Sequence, residues 1–163
     1  MRISTLWPAL LLVVPTLASG QQQPAVKPPF EVMKANASAI RNMAEKERWM
    51  ANVDLWEIAL APSGAVDAKD RARMDALLER IRINVARIRS APEKARWETN
   101  IQMWQALIAG NGLLSKTEAA KLGPMLDSLK ANIADISIAS EHERWQANRE
   151  LWEGVLARST AAD

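Results

Sequence analysis

Between residues 74 and 88 the apolar side chains fall at Met74, Leu78, Ile81, Val85 and Ile88. Between 122 and 136 they fall at Leu122, Leu126, Leu129, Ile133 and Ile136. Gaps of four and three place each set on one stripe of an α-helix. Phe30, Met33, Ala37 and Ile40 write a shorter version of the stripe just after Pro28-Pro29. That pair fits a helix start, because a proline in the first turn forfeits no intrahelical hydrogen bond. The stripes keep a 48-residue spacing: Phe30, Leu78 and Leu126 coincide, as do Met33, Ile81 and Leu129, and Asn36, Asn84 and Asn132. A fixed internal period marks a repeat architecture.

A second helix follows each stripe. It carries EKERWMANVDLWE from Glu45, EKARWETNIQMWQ from Glu93 and EHERWQANRELWE from Glu141. Common to the three is E-x-x-R-W-x-x-N-x-x-x-W. Ser90-Ala91-Pro92-Glu93 reads as a capping box with proline in the first turn; Ser140 to Glu143 has the same form and Asn42 to Glu45 a weaker one. Pro62-Ser63-Gly64 and Gly110-Asn111-Gly112 break the chain after the first two copies. Asp67, or Ser115 with Glu118, opens the next stripe. The expected fold is all-α: three antiparallel helical hairpins of 48 residues, about six helices, the first hairpin truncated. The hairpins run over about 30–62, 65–110 and 113–158, within one domain spanning 30–163. This form resembles helical-hairpin repeat proteins, a likeness of architecture from which no activity follows.

The phrase places Trp49, Asn52 and Trp56 on one helical stripe, with Glu45 and Arg48 one turn earlier. Glu93, Arg96, Trp97, Asn100 and Trp104 repeat the set, as do Glu141, Arg144, Trp145, Asn148 and Trp152. All tryptophans after Trp7 lie in it, in a chain with no tyrosine and one phenylalanine. A packing role is the first expectation: buried indoles need an acceptor, which the neighbouring Asn supplies. Glu and Arg pair along the helix, Arg covers an indole face, and Asn fixes register. The alternative is convergence, in which three phrases gather round a pseudo-threefold axis into a Trp/Arg/Asn pocket for an anion, a sugar or a flat ligand. Solenoid stacking spreads such residues along a line, whereas a ring collects them.

Composition narrows the chemistry. Arg2, the apolar Leu6–Leu17 run broken by Pro8 and Pro15, and small Ala18 and Gly20 read as a secretory leader over 1–20. A membrane span needs about 20 apolar residues. Residues 21–29, QQQPAVKPP, read as a disordered lead-in. These features point to an exported protein, periplasmic or secreted, of bacterial type. With no cysteine, disulfides and thiolate ligands are excluded. The net charge is +2, and +1 without the leader's Arg2, so charge calls for no nucleic acid partner.

His142 is the sole histidine and has Lys46 and Lys94 as counterparts, so neither a metal site nor a Ser/His/Asp triad is supported. Glu45/Glu47 and Glu141/Glu143 are carboxylate pairs, but Ala95 breaks the pattern in the second copy. Asn36-Ala37-Ser38 fits a glycosylation acceptor inside a predicted helix. Lys69, Arg71, Arg73, Arg80, Arg82, Arg87 and Arg89 make the middle stripe helix basic, with Arg73, Arg80 and Arg87 seven apart. Such a run is ordinarily a solvated face; its functional counterpart is contact with an anionic envelope polymer, a lipid headgroup or an acidic protein.

The expectation is a non-catalytic exported binding or scaffold module for a protein or peptide-like partner, without metal or cofactor. A small-ligand or glycan receptor is the alternative, and a carboxylate enzyme ranks last.

Overall fold

Cap chemistry sets the helix starts. Pro28 precedes α1 (Pro29–Ser38), Asn42 caps α2 (Met43–Ala59), Asp67 caps α3 (Ala68–Val85), Ser90 caps α4 (Ala91–Ala109), and Ser115 caps α5 (Lys116–Ala134). The last helix, α6, spans Ala139–Ala161. The computed structural model describes residues 28–61 and 66–161, and among these the fold is all-α, as expected. The leader, the lead-in up to residue 27 and the Pro62-Ser63-Gly64 breaker lie outside the described residues. No helix among the described residues is long and apolar enough to cross a membrane.

The four capping side chains each accept the backbone N–H three residues on: Glu45, Asp70, Glu93 and Glu118 at 3.0, 2.7, 3.4 and 3.2 Å. Each satisfies one of the orphan donors of a helix N-terminus. The complete reciprocal box forms at Ser115, where Glu118 Oε2 accepts from the Ser115 N–H at 2.9 Å and its hydroxyl at 2.7 Å. The hydroxyl first, then the N–H, holds the Glu118 carboxyl below its ordinary range. At Ser90 only half of the expected box is made, because the Glu93 carboxylate turns to Arg48 instead. The box expected at Ser140–Glu143 is not a cap. The His142 N–H bonds the Ile138 carbonyl at 2.9 Å, so Ser140 lies within the first turn. Ile138 stands where Asn42 and Ser90 cap their helices, and Glu143 accepts from Asn36 Nδ2 at 3.0 Å.

Successive helices run antiparallel. Arg96, near the start of α4, donates to the carbonyl of Asn132, near the end of α5. Val66, just before α3, bonds Asn111, just after α4. Asn111 and Gly112 turn the chain into α5 with φ of 53° and 88°. Glycine is required at 112 twice over, since a Cβ there would also lie 2.9 Å from Val66 Cγ2.

The hairpins do not stack in a line. Helix α1 packs against both α2 and α6, α3 against α2 and α4, and α5 against α4 and α6. The phrase-bearing helices α2, α4 and α6 therefore form an inner triplet, and each outer helix fills the groove between two of them. The stripes read from sequence face inward: Met33, Ala37, Met74, Leu78, Ile81, Val85, Leu122, Leu126, Leu129 and Ile133 are all buried. Because α1 joins the last helix to the first pair, the arrangement closes on itself.

Helix α5 keeps an exposed proline, Pro124, in its interior. Without an N–H it cannot bond the Ala120 carbonyl, and its counterpart in α3 is the good helix former Ala76. Pro124→Ala should therefore stabilise the protein by about 2 kcal/mol, the helix-interior penalty less the chain entropy that proline removes from the unfolded state. An equilibrium urea titration reads this as a higher midpoint at unchanged slope.

Candidate functional site

The repeated phrase fixes what meets on the axis. Trp and Asn at offsets 0, 3 and 7 share one helix face, and each offset meets its own counterparts. The inner helices are thus parallel and in register, and their side chains form layers.

The first layer is Trp49, Trp97 and Trp145. Each ring meets the other two edge-to-face, with centroids 4.9–5.0 Å apart and planes at 65–70°. A second layer of Trp56, Trp104 and Trp152 repeats this at 4.6–4.8 Å and 62–64°. Such pairs add about 0.5–1.5 kcal/mol each beyond area burial. All six indoles are at most 1% exposed. Rings at these separations are in contact, so each layer is filled by its own members.

Between the layers lie Asn52, Asn100 and Asn148, fully buried. Asn100 Nδ2 donates to Asn52 Oδ1, Asn148 Nδ2 to Asn100 Oδ1, and Asn52 Nδ2 to Asn148 Oδ1, at 2.9–3.0 Å. The same oxygens accept the second-layer indoles: Trp104 Nε1 to Asn52, Trp152 Nε1 to Asn100, Trp56 Nε1 to Asn148, each at 2.9 Å. Every carboxamide oxygen thus uses both lone pairs. An indole N–H only donates, so the atom it meets must be oxygen, and the three amide orientations are fixed. The acceptor expected one turn away on the same helix instead comes from the neighbouring helix.

Outside the first Trp layer runs a belt of charge. Arg48 pairs with Glu93 at 2.7 Å, Arg96 with Glu141 at 2.9 Å and Arg144 with Glu45 at 2.6 Å. These bonds also cross between helices rather than run along one as the sequence suggested. Each guanidinium lies over the neighbour's indole: Arg48 over Trp97, Arg96 over Trp145, Arg144 over Trp49, at 5.4–5.9 Å. The arginines are buried, while the glutamate side chains stay 21–31% exposed. Burial pushes the Arg144 guanidinium below its usual value, against the pull of Glu45 and Glu141. The Nε of each of the three arginines is buried without a partner.

All fifteen phrase residues named from sequence therefore come together, as three layers and a belt. The remaining signals scatter. Asn84 and Asn132 bond carbonyls four residues back in their own helices. Glu47 and Glu143 are exposed, and His142 is half-buried. Among the described residues no group of three His, Cys, Asp or Glu is placed to hold a metal. Arg73 and Arg80 lie exposed on α3 and Arg87 in the turn just after it, away from the axis. A cleft of about 550 Å³ opens at the α1/α6 seam beside Arg41, Ile138 and the Arg144–Glu45 pair. Sequence reasoning set Met33 on the stripe but missed its contact with the ring, its sulfur lying 3.5 Å from Asn52 Nδ2. It also missed Ile83, 50% exposed on α3; its place three residues after Arg80 was the available signal.

Asn100→Leu would orphan two buried donors, Asn148 Nδ2 and Trp152 Nε1. At about 1–3 kcal/mol for each, urea unfolding should show a loss of about 2–6 kcal/mol. Arg96→Met would remove an ion pair and an indole contact but leave Glu141 within reach of water. Its expected cost is about 2–4 kcal/mol, short of a fully buried pair, and a double-mutant cycle with Glu141→Gln should show strong coupling. Compared with protein-family models, curated proteins and solved structures, the chain finds no match.

Proposed function

We propose that this chain is an exported, non-catalytic binding or scaffold module that recognises a protein or peptide-like partner. One observation carries the reading. The repeated polar residues are spent on each other: each Asn oxygen is saturated, each phrase arginine is paired, and the indoles fill their layers. A receptor using the same Trp/Arg/Asn set would have to open this packing to admit a ligand. The common part of the repeats then serves the scaffold, and recognition falls to outward residues, which differ between copies. On the outer face of the inner helices, Glu47, Met50, Asp54 and Glu57 become Ala95, Glu98, Gln102 and Gln105, then Glu143, Gln146, Glu150 and Glu153. Differing surfaces on one rigid frame suit a module that presents distinct faces to macromolecules.

Native mass spectrometry of the protein purified from the exported fraction of its cells tests this. A stoichiometric polypeptide adduct that dissociates on denaturation is the expected result. A small-molecule adduct, together with acrylamide quenching of the indoles that the adduct relieves, would replace this reading with the receptor one.

A further inference from the structure

We infer that the outward face of α3 is the docking seam for an acidic amphipathic helix of a partner protein; this rests on the binding-module reading and names the chemistry of its partner. Arg73, Ala76, Arg80 and Ile83 follow one another at gaps of three and four, so they share one line along α3, and Arg87 continues it in the turn just past the helix end. From Arg73 to Ile83 the line rises roughly 15 Å along α3. All five are exposed, and Ile83 is 50% accessible. Among the described residues none of the three arginines has an ion-pair partner, whereas their neighbour Arg82 is paired with Glu79 at 3.2 Å.

The shape of this charge decides what fits. Asp75 and Glu79 lie along one flank together with Arg82, two carboxylates to one guanidinium, so that flank is net acidic. Along the seam the charges are all of one sign, with an alanine in one gap and an isoleucine in the next. A planar phosphate surface would press on the acidic flank as well as on the seam. A helix touches a helix along a line, its knobs seated between residues spaced three and four apart. Ile83 offers the apolar contact, Ala76 the room for close approach, and the guanidinium forks of Arg73 and Arg80, one heptad apart, with that of Arg87 beyond the helix end, meet carboxylates. The third repeat has no such seam: the same positions are Lys121, Pro124, Ser128 and Ala131 on α5 and Asp135 just after it. A second copy of the chain is the other acidic candidate, since α6 exposes Glu143, Glu150 and Glu153. All three carboxylates are already engaged, Glu143 by Asn36 and Glu150 and Glu153 by Arg149.

The test uses the mature chain and two probes: a helical peptide of about three heptads with leucine at one core position and glutamates at the flanking ones, and vesicles of phosphatidylglycerol with phosphatidylcholine. Saturable peptide binding that weakens with salt is expected. The triple variant Arg73→Gln/Arg80→Gln/Arg87→Gln should bind roughly tenfold to hundredfold more weakly at an unchanged unfolding midpoint. Ile83→Ser should also weaken the peptide while leaving any vesicle association untouched. The inference is overturned if the arginines bind vesicles and not the peptide, if the peptide binds the triple variant equally well, or if the arginines prove to mediate self-association in sedimentation. A polypeptide adduct in the native mass spectrum that survives the triple variant would overturn this seam alone and leave the binding-module reading standing.

Discussion

Three carboxamides closing on one another at the axis set the terms for everything around them. Each oxygen takes one N–H from a neighbouring Asn and one from the Trp a turn further along the same neighbouring helix. Both donors reach one acceptor only if the inner helices are parallel, at matching depth and at matching rotation. Sliding one helix by a residue would turn its stripe by roughly 100° and strand buried donors on two sides. A buried unpaired amide or indole N–H is among the more expensive defects a core can hold. The ring therefore specifies one arrangement out of those that hydrophobic burial alone would tolerate, as a buried Asn specifies register in a coiled coil.

The direction of the contacts adds to this. Carboxamide and indole donors point from each inner helix to the preceding one, while the guanidinium groups reach to the following one. Each interface is thus clasped by two sets of bonds of opposite sense at different depths. Outer helices complete the burial by filling three grooves, and the short α1 suffices because it joins α6 to α2. With the middle so fully committed, variation is free to accumulate only outside, where the faces of the three units do diverge.

Much of the frame was legible in the sequence because it rests on periods. Stripes at gaps of three and four gave the helices, Pro28, Asp67 and Ser115 gave starts, and the 48-residue recurrence named the axial residues. What was not legible was partnership. A sequence places Glu45 one turn from Arg48 and makes an intrahelical pair the natural reading, yet Arg48 pairs with Glu93 on the neighbouring helix, where its guanidinium also lies over Trp97. The choice between a line and a ring had the same origin, since it depends on how α1 meets α6 and no local pattern encodes that contact. Ser140 misled for a third reason: its chemistry suits a cap, but the repeat register puts Ile138 in that place.

The aromatic layers have an optical consequence. Indoles whose centroids stand 4.6–5.0 Å apart, held at fixed angles in threes, cannot absorb as independent groups. Their transition dipoles couple, and the handed, propeller-like arrangement makes the coupled transition circularly dichroic. Six tryptophans then behave as two chiral chromophores, each of which exists only while all three of its helices are in place. The molecule carries, in its own spectrum, a signal for closure of the ring that is separate from its helix content.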